Sequence, residues 1–336
     1  MLRTPQPAPA AGRTANPASA PAGRKGAPLF TVQDLLGWAY LYPVRGLFRL
    51  LPVRFSGWLT RRLAPLYAWF RRDTRGKVES GMTLAFRGRE MQESPARLAR
   101  AFIVRDVRKV VDDLLIHRLP AGALARKATV SGLDHLQAAL AEGRGVIVIS
   151  GHFHANRLAK YYLRRAGYPM LSVRRRVPLG ASVGRFGRRF VEPAYGRLLA
   201  GNVEDELYAR DPGLGAGLLR RLRENGIVNI HIDAAMAAEK FTLPLLNVAW
   251  PFAGGFVRLA EHSGAPLLPM LCLGDSDGFE INFDAPIRLL GRSSPEECRA
   301  RLRPLAQRLE SWVLAHPAEW ELWTRFDRYL AHGSVE

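Results

Sequence analysis

The apolar positions divide the chain into a front part with helical periodicity and a later part in which short apolar runs alternate with helical ones. Behind Ser94-Pro95, a cap followed by proline at the first helical position, Leu98, Phe102, Val107, Val110, Val111, Leu114 and Leu115 recur at helical spacing and predict one long amphipathic helix. Beyond it the pattern predicts strand over 128–131, helix over 133–141, strand over 145–150, helix over 153–166 and strand over 169–173. Val146-Ile147-Val148-Ile149 is apolar at every position, as in a strand covered on both faces. A helix over 217–225, a strand over 227–232, a helix over 252–263 and strands over 267–273 and 279–283 follow. Ser294-Pro295 with Glu297 makes a capping box that opens a C-terminal helix, which Pro304 is expected to kink. The sum is an α/β fold with a mostly parallel central sheet flanked by helices, preceded by an amphipathic all-helical N-terminal section.

Composition separates two further regions. Residues 1–28 are Ala, Pro, Gly, Ser and Thr with scattered bases, too little apolar surface to offset the entropy of ordering, and are expected to form a disordered tail without a signal peptide. Residues 29–72 are rich in Leu, Trp, Tyr and Phe, interrupted by Arg45, Arg49, Arg54, Arg61, Arg62, Arg71 and Arg72; through residue 70, no acid follows Asp34. The longest charge-free piece, 35–44, falls far short of the ~20 residues that span a bilayer. A membrane-interfacial helical segment is therefore expected, with Trp38, Tyr40, Tyr42, Trp58, Tyr67 and Trp69 at headgroup depth and the arginines on anionic membrane lipid. The alternative is ordinary amphipathic helices packed on a soluble core. Residues 73–336 carry the α/β pattern as one domain.

Charge narrows the class of partner. The 336 residues hold 49 basic and 30 acidic side chains, a net +19, and 43 of the bases are arginine, whose planar fork suits phosphates and carboxylates. Phospholipid, a nucleotide-bearing cofactor, an acidic carrier protein and nucleic acid all fit such a charge. Nucleic acid is not expected, because the aromatics sit among leucines and no helix-turn-helix, zinc or RNA-recognition pattern appears. Cys272 and Cys298 cannot build a disulfide framework, and no ligand spacing points to a metal.

Candidate chemistry gathers where strands end, since ligands of open α/β sheets bind beyond the carboxyl ends of strands. Ser150-Gly151-His152-Phe153-His154 lies there, and a histidine at that place has the pKa for a general base at neutral pH. A packed, hydrogen-bonded histidine at a sheet edge would explain His152 or His154 equally. Eleven bases against the single acid Glu192 lie between residues 157 and 197, and Arg157, Arg174 and Arg175 fall nearest the strand ends as phosphate-binding candidates. Gly254 and Gly255, at the expected start of a helix, either let a ligand approach backbone amides or serve close helix packing. The surrounding Leu243, Leu245, Leu246, Val248, Trp250 and Phe256 are either walls of an apolar pocket or core.

The order and spacing of several pieces make the chain resemble the bacterial lipid A biosynthesis lauroyl/myristoyl acyltransferases of the lysophospholipid acyltransferase superfamily. These pieces are the Arg-rich apolar front, Arg75-Gly76-Lys77-Val78-Glu79, the runs 145–158, 228–234 and 251–269, and His316-Pro317-Ala318-Glu319-Trp320; together they extend from about residue 35 to 329. The resemblance implies an acyltransferase-like domain that moves a fatty acyl chain from an acyl carrier protein or coenzyme A thioester to a hydroxyl of a lipid or glycolipid, with no bound cofactor or metal. It also implies peripheral attachment to the cytoplasmic face of a bacterial inner membrane. The family pairs a histidine with an acid five positions on. His152 matches, but Arg157 occupies the acidic position, which sets charge repulsion against the imidazolium. Asp233, aligned with an aspartate of the family, is the first candidate for the missing partner, followed by Glu239 and Glu192; His154 and His231 are further candidates for base or donor. The alternative reading is a catalytically inactive lipid-binding or scaffolding protein, with Arg157 marking the loss of the pair.

Overall fold

The computed structural model describes residues 28–52, 55, 58–59, 62, 67, 69, 71–174, 183–202, 206–209, 211–233, 239–274 and 278–326. The expected tail, apart from residue 28, and the candidate Arg175 lie outside the described residues.

The front section is helical. Thr31 caps α1 (Val32–Ala39) in a closed capping box with Asp34, and one π-helical turn, Tyr40–Val44, joins α1 to α2 (Arg45–Leu50). Pro43, which has no N–H to offer, sits inside that turn, where the hydrogen-bond ladder slips by a residue. Asp34 is buried and accepts the Gly184 amide with both carboxylate oxygens at 3.1 Å, which ties α1 to the loop before α8 (Glu192–Asn202). Helices α3 (Arg72–Ala85) and α4 (Pro95–Leu115) follow; α4 starts at the expected Ser94 cap.

Past the short helix α5 (Ala121–Ala125), the chain enters the α/β part. Its strands are β1 (Ala128–Ser131), β2 (Val146–Ser150), β3 (Met170–Arg174), β4 (Glu206–Tyr208), β5 (Ile227–His231), β8 (Leu267–Gly274) and β9 (Phe279–Phe283). They form one sheet in the order β1-β9-β8-β2-β5-β3-β4, parallel throughout except between β8 and β9. Ile147 and Ile149 of β2 face a core built with α3, α4 and α11 (Pro295–Ala315), whereas Val146 and Val148 face α6 (Leu133–Ala141) and α7 (Asn156–Arg165). That two-sided burial is why β2 is apolar at every position.

After β2 the chain crosses toward β3, and after β5 it leaves for β8 on the other side of β2. The divergence opens a crevice at the carboxyl ends of β2 and β5, where Ser150 and His231 are paired in register.

Two expectations need correction. The helix expected from residue 153 starts at Asn156, because Phe153 is buried and makes an isolated bridge with Trp320 while the His154 amide bonds the Glu319 carbonyl at 3.0 Å. Helix α9 (Leu214–Arg223) stands where one was expected over 217–225, the helix expected over 252–263 is α10 (Gly255–Ser263), and Phe252 lies instead in a hairpin of β6 (Lys240–Leu245) and β7 (Val248–Ala253). Its two-residue turn places Leu246 at φ 51° and Asn247 at φ 63°, the twist that suits a tight hairpin, although leucine is an unusual residue for it. The C-terminal helix keeps its capping box and runs on through Pro304.

Candidate active site

A cavity of about 1370 Å³ opens at the carboxyl ends of β2 and β5, larger than the usual range for one small ligand. His152 stands in its wall, with its side chain 31% exposed. The ring is held from behind: Nδ1 lies 2.6 Å from Asp233 Oδ1, and the His152 amide donates to Asp233 Oδ2 at 2.8 Å. Asp233 is fully buried just past β5, and its Oδ2 also accepts Trp320 Nε1 at 2.9 Å. Three donors thus satisfy a carboxylate that burial would otherwise penalise heavily. Gly151 makes the approach possible, since a Cβ there would lie 2.6 Å from Leu309 and 2.8 Å from Phe153.

Burial opposes the charged form of His152, but the Asp233 charge and hydrogen bond outweigh it, and the imidazole pKa is raised. With Nδ1–H given to Asp233, the neutral ring carries its lone pair on Nε2. Arg157 also lines the cavity, but it forms an ion pair with Asp113 of α4. Its charge is absorbed there, which accounts for the expected repulsion of the imidazolium being absent from the main influences on His152.

The other sequence candidates separate. Arg174, at the end of β3, and Gly255, the first residue of α10, line the cavity. Gly254 is not among the lining residues, and its amide is taken by the Glu239 carbonyl at 3.0 Å. His154 turns away from the cavity: it is buried against Phe102, and burial pushes its pKa down to about 3. Glu239 lines the cavity but pairs with Arg258 at 3.3 Å, and Glu192 lies in the first turn of α8, away from it. Of the six expected pocket walls only Phe256 reaches the cavity; Leu243, Leu245, Leu246, Val248 and Trp250 are core.

Several cavity residues were not singled out from sequence. Asp106, Lys109 and Asp113 are spaced by three and four on α4, so they share a helix face, and Asp106 and Lys109 point it into the cavity. Lys109 pairs with Glu321 at 2.5 Å, and this cation, with His154 and His152, holds the Glu321 carboxyl at about 2 despite the opposing effect of burial. Lys160, buried and 3.2 Å from Ser172 Oγ, adds a cation on the β3 side. Only the α4 spacing left a signal, masked by the apolar stripe on the same helix.

Among the described residues, His152, His231 and Asp233 bring ligand-type atoms within 4.8 Å of one another. Their inner atoms are engaged already, Nδ1 of His152 with Asp233 and Nδ1 of His231 with the Gly151 carbonyl, so they form a hydrogen-bonded cluster and not a preformed metal cage.

A histidine at a strand end is thus bonded to a buried carboxylate, Asp233 in place of an acid five positions on, and faces a cavity with both apolar and cationic walls. The phosphatidylinositol mannoside acyltransferase of Mycolicibacterium smegmatis (strain ATCC 700084 / mc(2)155) is 26% identical over 208 residues, 61% of this chain and 65% of that protein. The match therefore takes in less than two thirds of that relative's length. The family pattern described as "Bacterial lipid A biosynthesis acyltransferase" matches residues 28–326, nearly the whole described fold and both members of the His152–Asp233 pair, so the chain belongs to that family.

Proposed function

We propose that the protein transfers a fatty acyl chain from the thioester of an acyl carrier protein or coenzyme A to a hydroxyl of a lipid or glycolipid, at the cytoplasmic surface of a membrane. The 2.6 Å contact between His152 Nδ1 and Asp233 carries this reading, because it leaves Nε2 as a base facing the cavity. The acceptor oxygen attacks the thioester carbonyl as Nε2 takes its proton. Asp233 stabilises the imidazolium, and collapse of the tetrahedral intermediate forms the ester and expels the thiolate, which recovers the proton from His152. In this reading first-turn amides of α10, at Gly255 and Phe256 on the cavity wall, receive the oxyanion.

Transfer is direct in this scheme. Both cysteines are buried, and burial raises their thiol pKa, Cys272 to about 12, so neither offers a thiolate for an acyl-enzyme. Leu214, Leu218, Leu219 and Leu259 give the cavity an apolar side for the chain, and Lys160 and Arg174 a cationic side for a phosphate of donor or acceptor.

His152→Ala should lower transfer by ~100-fold or more with the fold intact, measured as the acylated lipid formed from a thioester and a membrane lipid extract. Unchanged product would remove His152 from the mechanism. The inactive-binder alternative rested on Arg157; the pairing of Arg157 with Asp113, with Asp233 at the imidazole, supports catalysis over it, and acyl transfer by the unaltered chain decides between the two.

A further inference from the structure

His231 ends β5 directly beside His152. The two rings are stacked, centroids 4.4 Å apart and planes at 29°, and both line the cavity. His231 Nδ1 lies 3.0 Å from the Gly151 carbonyl oxygen and 3.1 Å from Ser150 Oγ. A carbonyl only accepts, so Nδ1 carries the hydrogen; the same oxygen also accepts Asn156 Nδ2 and, at 3.1 Å, the Phe153 amide. Burial, reinforced by neighbouring His152, keeps the His231 pKa well below its ordinary value, and the ring is neutral. A neutral imidazole with its hydrogen on Nδ1 presents a lone pair at Nε2. His152 has the same tautomer for a different reason, the Asp233 contact.

Two imidazoles therefore offer two acceptor nitrogens side by side. A base for one hydroxyl needs one such nitrogen; the second has no part in the acyl transfer derived above. We infer that His231 is a specificity-determining residue that accepts a hydrogen bond from a second hydroxyl adjacent to the one being acylated, so that the acceptor is a vicinal diol. One hydroxyl gives its proton to His152, and its neighbour donates to His231 and fixes the attacking oxygen in place. This rests on the His152 reading and narrows its acceptor to a polyol headgroup, a sugar ring or a glycerol, as against a solitary alcohol.

The test uses the full chain with ¹⁵N-labelled histidine, read by long-range ¹H–¹⁵N spectra. His231 should show an unprotonated Nε2, whose resonance moves on addition of 1-O-octylglycerol or octyl mannoside but not of 3-octyloxypropan-1-ol, which has one hydroxyl. A response to the glycerol ether alone assigns a glycerolipid, to the mannoside alone a sugar ring, and to both the diol as such. A protonated Nε2, no movement with either diol, or equal movement with the mono-alcohol overturns the inference. In acyl-transfer assays His231→Phe, which keeps the ring stack and removes the lone pair, should lower kcat/KM for the diol about tenfold more than for the mono-alcohol, and an equal loss on both would overturn the inference. An active His152→Ala enzyme would sink the base assignment, yet the His231 spectra would still report on the diol by themselves.

Discussion

Asp233 sets three properties of His152 together: which nitrogen is left with a lone pair, where the ring points, and how tightly it holds a proton. The base must be neutral to act, and its pKa is raised, so activity should climb with pH through a midpoint above the ordinary value near 6.5. Asp233→Asn removes the charge that raises it and leaves burial, which lowers it. The acid limb of kcat should then move below 6.5 while kcat falls by ~100-fold or more, because the imidazolium loses its partner; a limb that stays in place would show that Asp233 does not govern the titration. At this scale His152 and Asp233 were legible, since both sit where strands run out into turns. His154 was not separable from His152 by position, because what parts them is the burial of Phe153 and its bridge to Trp320, a tertiary effect with no local sequence code. Glu321 lies in a stretch without periodicity, and nothing local announced it.

Among elements, α4 and α7 meet through Arg157 and Asp113, side chains 18% and 10% exposed. An acid at position 157 would here face another carboxylate across a mostly buried contact. Arg157→Glu should accordingly cost stability, about 3–5 kcal/mol in urea unfolding, with no gain in acyl transfer. A gain would mean that position 157 communicates with the imidazole after all. Strand and helix boundaries were largely readable because β2, β5 and β8 are covered on both faces and α4 and α11 have strong caps. The β6–β7 hairpin was missed for a physical reason: its turn is Leu246-Asn247, in which Asn247 alone carries a turn signal and leucine at positive φ stands where such turns usually have Asn, Asp or Gly.

Across the whole molecule, the front helices leave Leu35, Leu36, Leu47, Leu50 and Trp38 exposed, with guanidiniums laid over rings at Arg72–Trp69 and Arg62–Trp58. No helix among the described residues is long and apolar enough to cross a bilayer. If this face docks on lipid, the protein should co-sediment with phosphatidylglycerol vesicles and be released as salt rises toward 1 M, where screening shortens to about 3 Å. Leu35→Glu with Leu36→Glu should weaken that binding by ~10-fold or more, and vesicle binding unaffected by both salt and substitution would remove the surface from consideration. The net charge and the apolar, arginine-rich front were plain in the sequence; how the front is fastened was not. Asp34, an acid inside an arginine-rich greasy stretch, caps its own helix and clamps the Gly184 amide 150 residues away. A ribbon bolted down in this manner would meet a lipid surface as a stiff plate, already shaped before contact, and would surrender little freedom on landing.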